Sequence, residues 1–221
     1  MDSVDQEAAR RYGVRVRNTP GVFGQEVADS AFGYILNLAR GHVAVDSAVR
    51  RGEWPKWEGF TLAGTRLGII GFGAIGREIA KRGHGFDMDV VVFDPFVEMA
   101  PARVRLLDID ELLATSRLVV LACPLTPETF HLIDADRLAL FRKDAYLINV
   151  GRGSLVAESD LVDALRPGRL AGAALDVFEV EPLPRDSPLR TLPHVILGAH
   201  NGSNTREGVA RASAAAVDFL L

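Results

Sequence analysis

Apolar positions along the chain follow two different periods. From Gln25 the stretch VADSAFGYILNLARGHVAVDSAVRRG keeps apolar residues on one helical face, which predicts a long amphipathic helix over residues 25–50 closing near Gly52. Further on, short apolar runs predict strands at Arg66–Gly71, Asp89–Asp94, Leu118–Cys123, Ala145–Val150, Ala171–Val177 and His194–Leu197. Between them lie the amphipathic segments IGREIAKRGHGF, DIDELLATS, TPETFHLIDADRLALF and ESDLVDALRPG. Strands that alternate with helices, and that are apolar throughout, predict an α/β fold with a doubly wound parallel sheet covered on both faces. Ahead of this core the pattern predicts a helix at Gln6–Tyr12, a strand at Val14–Arg17 and a turn at Thr19-Pro20-Gly21. Residues 53–64, with two tryptophans and Pro55, read as an irregular connector.

Composition narrows the class. Hydrophobic residues make up 48% of the 221 residues, enough for a sizeable core. Lysine and arginine number 25 against 29 acids, a net charge of -4, which speaks against generic binding to nucleic acid or to an anionic membrane. Cys123 is the only cysteine, so no internal disulfide is available. The acidic, polar start and the lack of a ~20-residue apolar run predict a cytoplasmic protein.

The most legible motif is LGIIGFGAIGREIA, where Gly71, Gly73 and Gly76 form G-x-G-x-x-G between a strand and a helix. The first glycine permits a tight turn, the second lets a pyrophosphate approach the backbone, and the third lets helix pack on strand. Such glycines also occur in plain turns. Here the next strand, DVVVF, ends at Asp94, an acid placed to bond a ribose 2′-hydroxyl and to repel a 2′-phosphate. That context predicts a dinucleotide site that prefers NAD to NADP.

Three later strand ends carry polar groups where an open parallel sheet places its ligand crevice. They are Arg152 after YLINV, the run DVFEVEP with Asp176, Glu179 and Glu181, and His200 in HVILGAHNGSNT. Arg152 admits two readings, a solvated turn residue or a clamp on a carboxylate. His194 opens its strand and so falls at the wrong end of the sheet, while His42, His84 and His131 read as surface or satisfied helix residues. No histidine or cysteine spacing suggests a metal site.

The ordered set of G-x-G-x-x-G, CPLTPET, INVGRG, ALDVFEVEP and a histidine leading into GSNT resembles the D-2-hydroxyacid dehydrogenase family over essentially the whole chain. The resemblance implies hydride transfer between NAD and C2 of a small 2-keto or D-2-hydroxy acid. It implies that Arg152 binds the substrate carboxylate, that His200 is the acid/base, and that Glu181, which precedes Pro182, pairs with it rather than Glu179 does. It implies cofactor contacts at Gly71, Gly73, Ala74, Ile75, Gly76, Asp94, Cys123, Pro124, Thr129, Val150, Gly151, Arg152, Asp176, His200 and Gly202. Asp176 corresponds to the family aspartate that contacts the nicotinamide carboxamide, and Gly151 and Gly153 read as room for the nicotinamide and for a tight turn. Gly198-Ala199 stand where the family usually has Thr-Pro.

Against that pattern, the domain division expected is a remnant of a flavodoxin-like substrate domain at residues 1–23, a Rossmann NAD-binding domain at 24–203, and a C-terminal helix at 204–221 returning to the substrate domain. Most of the first lobe, including its loop for the substrate carboxylate, is missing from the pattern. The helix over 25–50 resembles the family's dimer-forming arm, so a homodimer is expected. The alternative function is a non-catalytic NAD(H)-binding module or a cofactor-dependent regulator of the corepressor kind.

Overall fold

The computed structural model describes residues 4–218, and residues 1–3 and 219–221 of the two terminal segments lie outside that range. Seven parallel strands form its centre: β1 (Arg66–Ile70), β2 (Asp89–Phe93), β3 (Arg105–Leu106), β4 (Leu118–Leu121), β5 (Tyr146–Asn149), β6 (Gly172–Leu175) and β7 (Val195–Leu197), in the order β3-β2-β1-β4-β5-β6-β7. The chain winds outward from β1 in one direction and from β4 in the other. The switch point between β1 and β4 leaves a crevice above their carboxyl ends.

Alternate residues of each strand feed opposite cores. Leu67 and Ile69 of β1, Leu118 and Val120 of β4 and Ile148 of β5 pack with Val27, Ile35 and Ile79 on one face. Ile70, Val119, Leu121 and Leu147 pack with Leu112, Leu161 and Leu165 on the other. The helices supplying these faces are α2 (Gly24–Arg40) and α4 (Ala74–Gly85) on the first, α5 (Ile109–Thr115) and α7 (Glu158–Leu165) on the second. Both faces are covered, which is why the strands read as unbroken apolar runs.

Several expectations change. The long helix is two, α2 and α3 (His42–Arg50), because Gly41 turns left-handed at φ 63° and its amide closes on the Asn37 carbonyl. The short helix α1 (Gln6–Arg11) forms, its N-terminus capped by the Asp5 carboxylate at 2.8 Å. No strand forms at Val14–Arg17, since among the described residues no neighbouring strand pairs with it. Of TPETFHLIDADRLALF only α6 (Ala135–Leu140) is helical, because Thr129 ties its hydroxyl to the Pro124 carbonyl and folds the preceding residues into a turn. The two-residue edge strand β3 is too short to leave a periodic signal.

The last helix, α8 (Arg206–Asp218), docks on α2 through an Arg211–Glu26 ion pair and a 3.3 Å bond from Arg211 to the Val22 carbonyl. Burial opposes ionisation of Glu26, but the Arg211 guanidinium dominates and holds its carboxyl below the ordinary value.

Candidate active site

The glycine turn after β1 is built by backbone crowding. Gly71 has φ 95°, and a Cβ there would stand 2.5 Å from the Cys123 amide nitrogen. A Cβ on Gly76 would meet the Gly71 carbonyl oxygen at 2.1 Å, so the first turn of α4 rests directly on the strand end. At Gly73 the same direction is open space. Gly73 also caps α4 without a side chain, so the amides of the first turn face outward. Two crowded glycines and one open one are the arrangement a pyrophosphate needs at a helix N-terminus.

Asp94, just past β2, accepts the Phe72 amide at 2.7 Å and the Phe96 amide at 2.9 Å. Its carboxylate thus braces the glycine turn, with lone pairs left over for hydroxyl donors.

A cleft of about 760 Å³ opens over the switch point. Of the residues nominated from the sequence for cofactor or catalysis, Ala74, Ile75, Cys123, Pro124, Val150, Gly151, Arg152, Asp176, His200 and Gly202 line it. Gly71, Gly73, Gly76, Asp94, Thr129 and Glu181 are not part of the lining. They act from behind it: the glycines and Asp94 shape the turn after β1, Thr129 fastens the Pro124–Thr129 turn, and Glu181 holds His200. Burial pushes the Cys123 thiol up to about 11, with the nearby Asp94 charge adding to the effect, so it is a packed neutral group.

At the end of β5, the buried Asn149 shapes the Arg152 turn. Its amide donates to the Arg152 carbonyl at 2.8 Å and its oxygen accepts the Gly151 amide at 3.1 Å. Arg152 is half-buried and donates to the Gly151 carbonyl at 2.8 Å. Two glycines, Gly151 and Gly153, flank it. Neither has a positive φ. A Cβ on Gly153 would overlap the Phe178 carbonyl carbon at 1.8 Å, and one on Gly151 would crowd Leu155 at 2.7 Å. Their smallness admits the neighbouring loop at Gly153 and the Leu155 side chain at Gly151, and Gly151 also lines the cleft.

His200 follows β7 in a left-handed conformation, φ 53°. Its Nδ1 lies 2.7 Å from Oε2 of Glu181. Oε1 of Glu181 accepts the Phe178 amide at 3.0 Å, which fixes the carboxylate. An ionised carboxylate only accepts, so Nδ1 carries the proton and Nε2 is left for the cleft. Glu179 turns elsewhere: it pairs with His131 at 2.8 Å and accepts the Glu158 amide at 3.1 Å. His131 therefore sits in a turn, φ 50°, and not in a helix. His194 precedes β7, at the opposite end of the sheet from the cleft.

Asp176, buried to 3% exposure, accepts from Tyr34, Asn201 and Gly202 while also lining the cleft. Thr19, Gly21, Val22, Phe23 and Gly24 line the cleft as well, and were not anticipated. The Thr19-Pro20-Gly21 turn and the glycine opening α2 were the only signals for them. Among the described residues no cluster of three or more His, Cys, Asp or Glu side chains is placed to hold a metal ion.

This geometry matches a known set of proteins. The chain is 43% identical to glyoxylate reductase of Pyrococcus horikoshii over 224 residues, covering 95% of this chain and 67% of that protein. It is 39% identical to D-3-phosphoglycerate dehydrogenase of Methanocaldococcus jannaschii, covering 94% of this chain but 40% of that longer protein. The NAD complex of formate dehydrogenase from Staphylococcus aureus superposes with a TM-score of 0.93 at 32% identity, over 100% of this chain and 68% of that one. Residues 32–202 match the model described as D-isomer specific 2-hydroxyacid dehydrogenase, NAD binding domain, and the chain belongs to that family.

Proposed function

We propose that the protein reduces a small 2-keto acid, or oxidises the corresponding D-2-hydroxy acid, with Arg152, Glu181 and His200 as its catalytic set. The observation that carries the reading is the 2.7 Å His200–Glu181 contact at the mouth of a cleft that Arg152 also lines. Bound NAD(H) supplies the hydride exchanged with C2, and the open Gly73 with the N-terminus of α4 fits its pyrophosphate. Nε2 of His200 gives or takes the proton at the C2 oxygen, while Glu181 holds Nδ1 and fixes the ring. Arg152 holds the substrate carboxylate and polarises the ketone beside it. Asp176 and Gly202 meet the nicotinamide end, and Asp94 the adenosine ribose.

The division of the chain follows: residues 24–203 hold the cofactor, and residues 1–23 and 204–221 belong to the substrate domain. A homodimer formed through α3 and the connector is supported by exposed Val43, Trp54 and Trp57 on that arm. Among the described residues no helix is long and apolar enough to cross a membrane.

The test is an NADH fluorescence titration followed by a scan of glyoxylate, hydroxypyruvate and pyruvate. Turnover of any one supports the reading. Tight NADH binding with no turnover would favour a non-catalytic NAD(H)-binding module instead.

A further inference from the structure

We infer that Tyr34, on α2, is a positioning residue for His200, acting through Asp176. The inference rests on the dehydrogenase reading above. His200 holds a left-handed backbone that a non-glycine residue adopts only when its surroundings enforce it. Those surroundings are largely one residue. The Asp176 carbonyl accepts the His200 amide at 2.7 Å, Oδ1 accepts the Asn201 amide at 3.2 Å, and Oδ2 accepts the Gly202 amide at 2.9 Å. Asp176 thus grips three successive amides of the loop that carries His200.

The carboxylate is itself held by the Tyr34 hydroxyl, which donates to Oδ1 at 2.8 Å from a different element of the fold. A buried carboxylate swings toward whatever donors remain, so removing this one frees the rotamer on which two loop amides depend. The fit is close. A Cβ on residue 198 would stand 2.3 Å from both the Tyr34 hydroxyl oxygen and Asp176 Oδ1. Gly198 is therefore the residue that lets the hydroxyl reach the carboxylate. One helical turn before Tyr34, Ser30 lies on the same side of α2, its Oγ 3.7 Å from the Cβ position of Gly202. Burial, followed by the hydrogen bond to Asp176 and its charge, raises the Tyr34 phenol above its ordinary value, so it stays a donor throughout the working pH range.

The experiment is Tyr34→Phe, which deletes one oxygen and keeps the ring. Two readouts are needed: amide hydrogen exchange by NMR, and steady-state kinetics with NADH and the best 2-keto acid. The expected result is exchange about 10-fold faster at His200, Asn201 and Gly202, with Ile148 in the sheet unchanged. Alongside it, kcat falls about 10-fold while the NADH dissociation constant stays within about twofold. Unchanged exchange at the three amides overturns the inference. So does an unchanged kcat, and so does a loss of NADH binding and thermal stability in step with kcat, which would make Tyr34 an ordinary fold contact. Wild-type protein that turns over no 2-keto acid overturns the dehydrogenase reading and this inference together. Active wild type with unaltered Tyr34→Phe kinetics overturns this inference alone.

Discussion

Nδ1 of His200 sits 2.7 Å from Oε2 of Glu181, while the other oxygen of Glu181 accepts the Phe178 amide at 3.0 Å. The carboxylate is thereby fixed to the end of β6, and the imidazole is fixed to the carboxylate. Glu181→Gln keeps the shape but replaces the carboxylate acceptor of Nδ1 with a neutral amide. The expected outcome is a fall in kcat of about 10²-fold, the lower range for losing a positioned proton-transfer partner, with NADH affinity nearly unchanged. Glu179→Gln is the control. It touches His131 and the start of α7 and should leave kcat in place.

The sheet and the glycine turn were legible in the sequence because each rests on local pattern: unbroken apolar strands, and glycines at fixed spacing. Glu181 rather than Glu179 as the partner of His200 was legible from the proline that follows it. Other features depended on distant contacts. The break at Gly41 turns on a left-handed residue in an otherwise continuous helical stripe. Gly153 gives no sign in sequence that the Phe178 carbonyl lies in its Cβ position. The Tyr34–Asp176 bond joins residues 142 positions apart, beyond the reach of any periodicity.

Arg152 is the second site for substitution. Its backbone is set by Asn149, so a change of side chain leaves the turn intact. Arg152→Lys retains one charge and loses the planar fork that matches a carboxylate. Turnover of the best 2-keto acid should drop by about 10²-fold or more in kcat/KM, at least ~2.7 kcal/mol, while the NADH dissociation constant changes less than about threefold. Equal loss of both would place Arg152 in the turn's stability instead of on the substrate.

Asp94 is the residue expected to govern cofactor choice. The carboxylate accepts two amides and would face a 2′-phosphate with like charge. Asp94→Asn keeps an acceptor for one amide and removes the repulsion. NADH binding should weaken by about 10-fold and NADPH binding should strengthen, narrowing the ratio by at least ~100-fold, or ~2.7 kcal/mol. Parallel fluorescence titrations with the two cofactors give the answer, and an unchanged ratio would exclude Asp94 from the discrimination.

Cys123 tests the cleft from within. Its thiol is pushed up to about 11 by burial, whereas a free cysteine titrates near ~8.5. At pH 8 the thiolate fraction should therefore be lower by roughly 100-fold or more, and iodoacetamide labelling should be slower in proportion. Because Cys123 lines the cleft, saturating NADH should slow labelling further. Labelling at the rate of a free thiol would contradict the packed setting described for it.

Glu26, only 7% exposed, is held ionised by Arg211 and joins α2 to α8. Its carboxyl is lower in the folded state than in the unfolded one. The pair's stabilisation is therefore fully present above the unfolded value near ~4.3 and is lost as pH falls through the folded value. Arg211→Met leaves a buried carboxylate without its cation. Breaking the pair should cost about 2–3 kcal/mol at pH 7, at or below the lower end for fully buried pairs, since Arg211 is itself 46% exposed. The main cause that lowers the Glu26 carboxyl is then gone while desolvation still opposes ionisation, so the carboxyl rises relative to the wild type. Thermal melts from pH 7 to pH 4 should show the wild-type advantage shrinking as Glu26 in the variant takes up a proton. A constant difference in melting temperature across that range would mean that the ion pair does not govern the docking of α8.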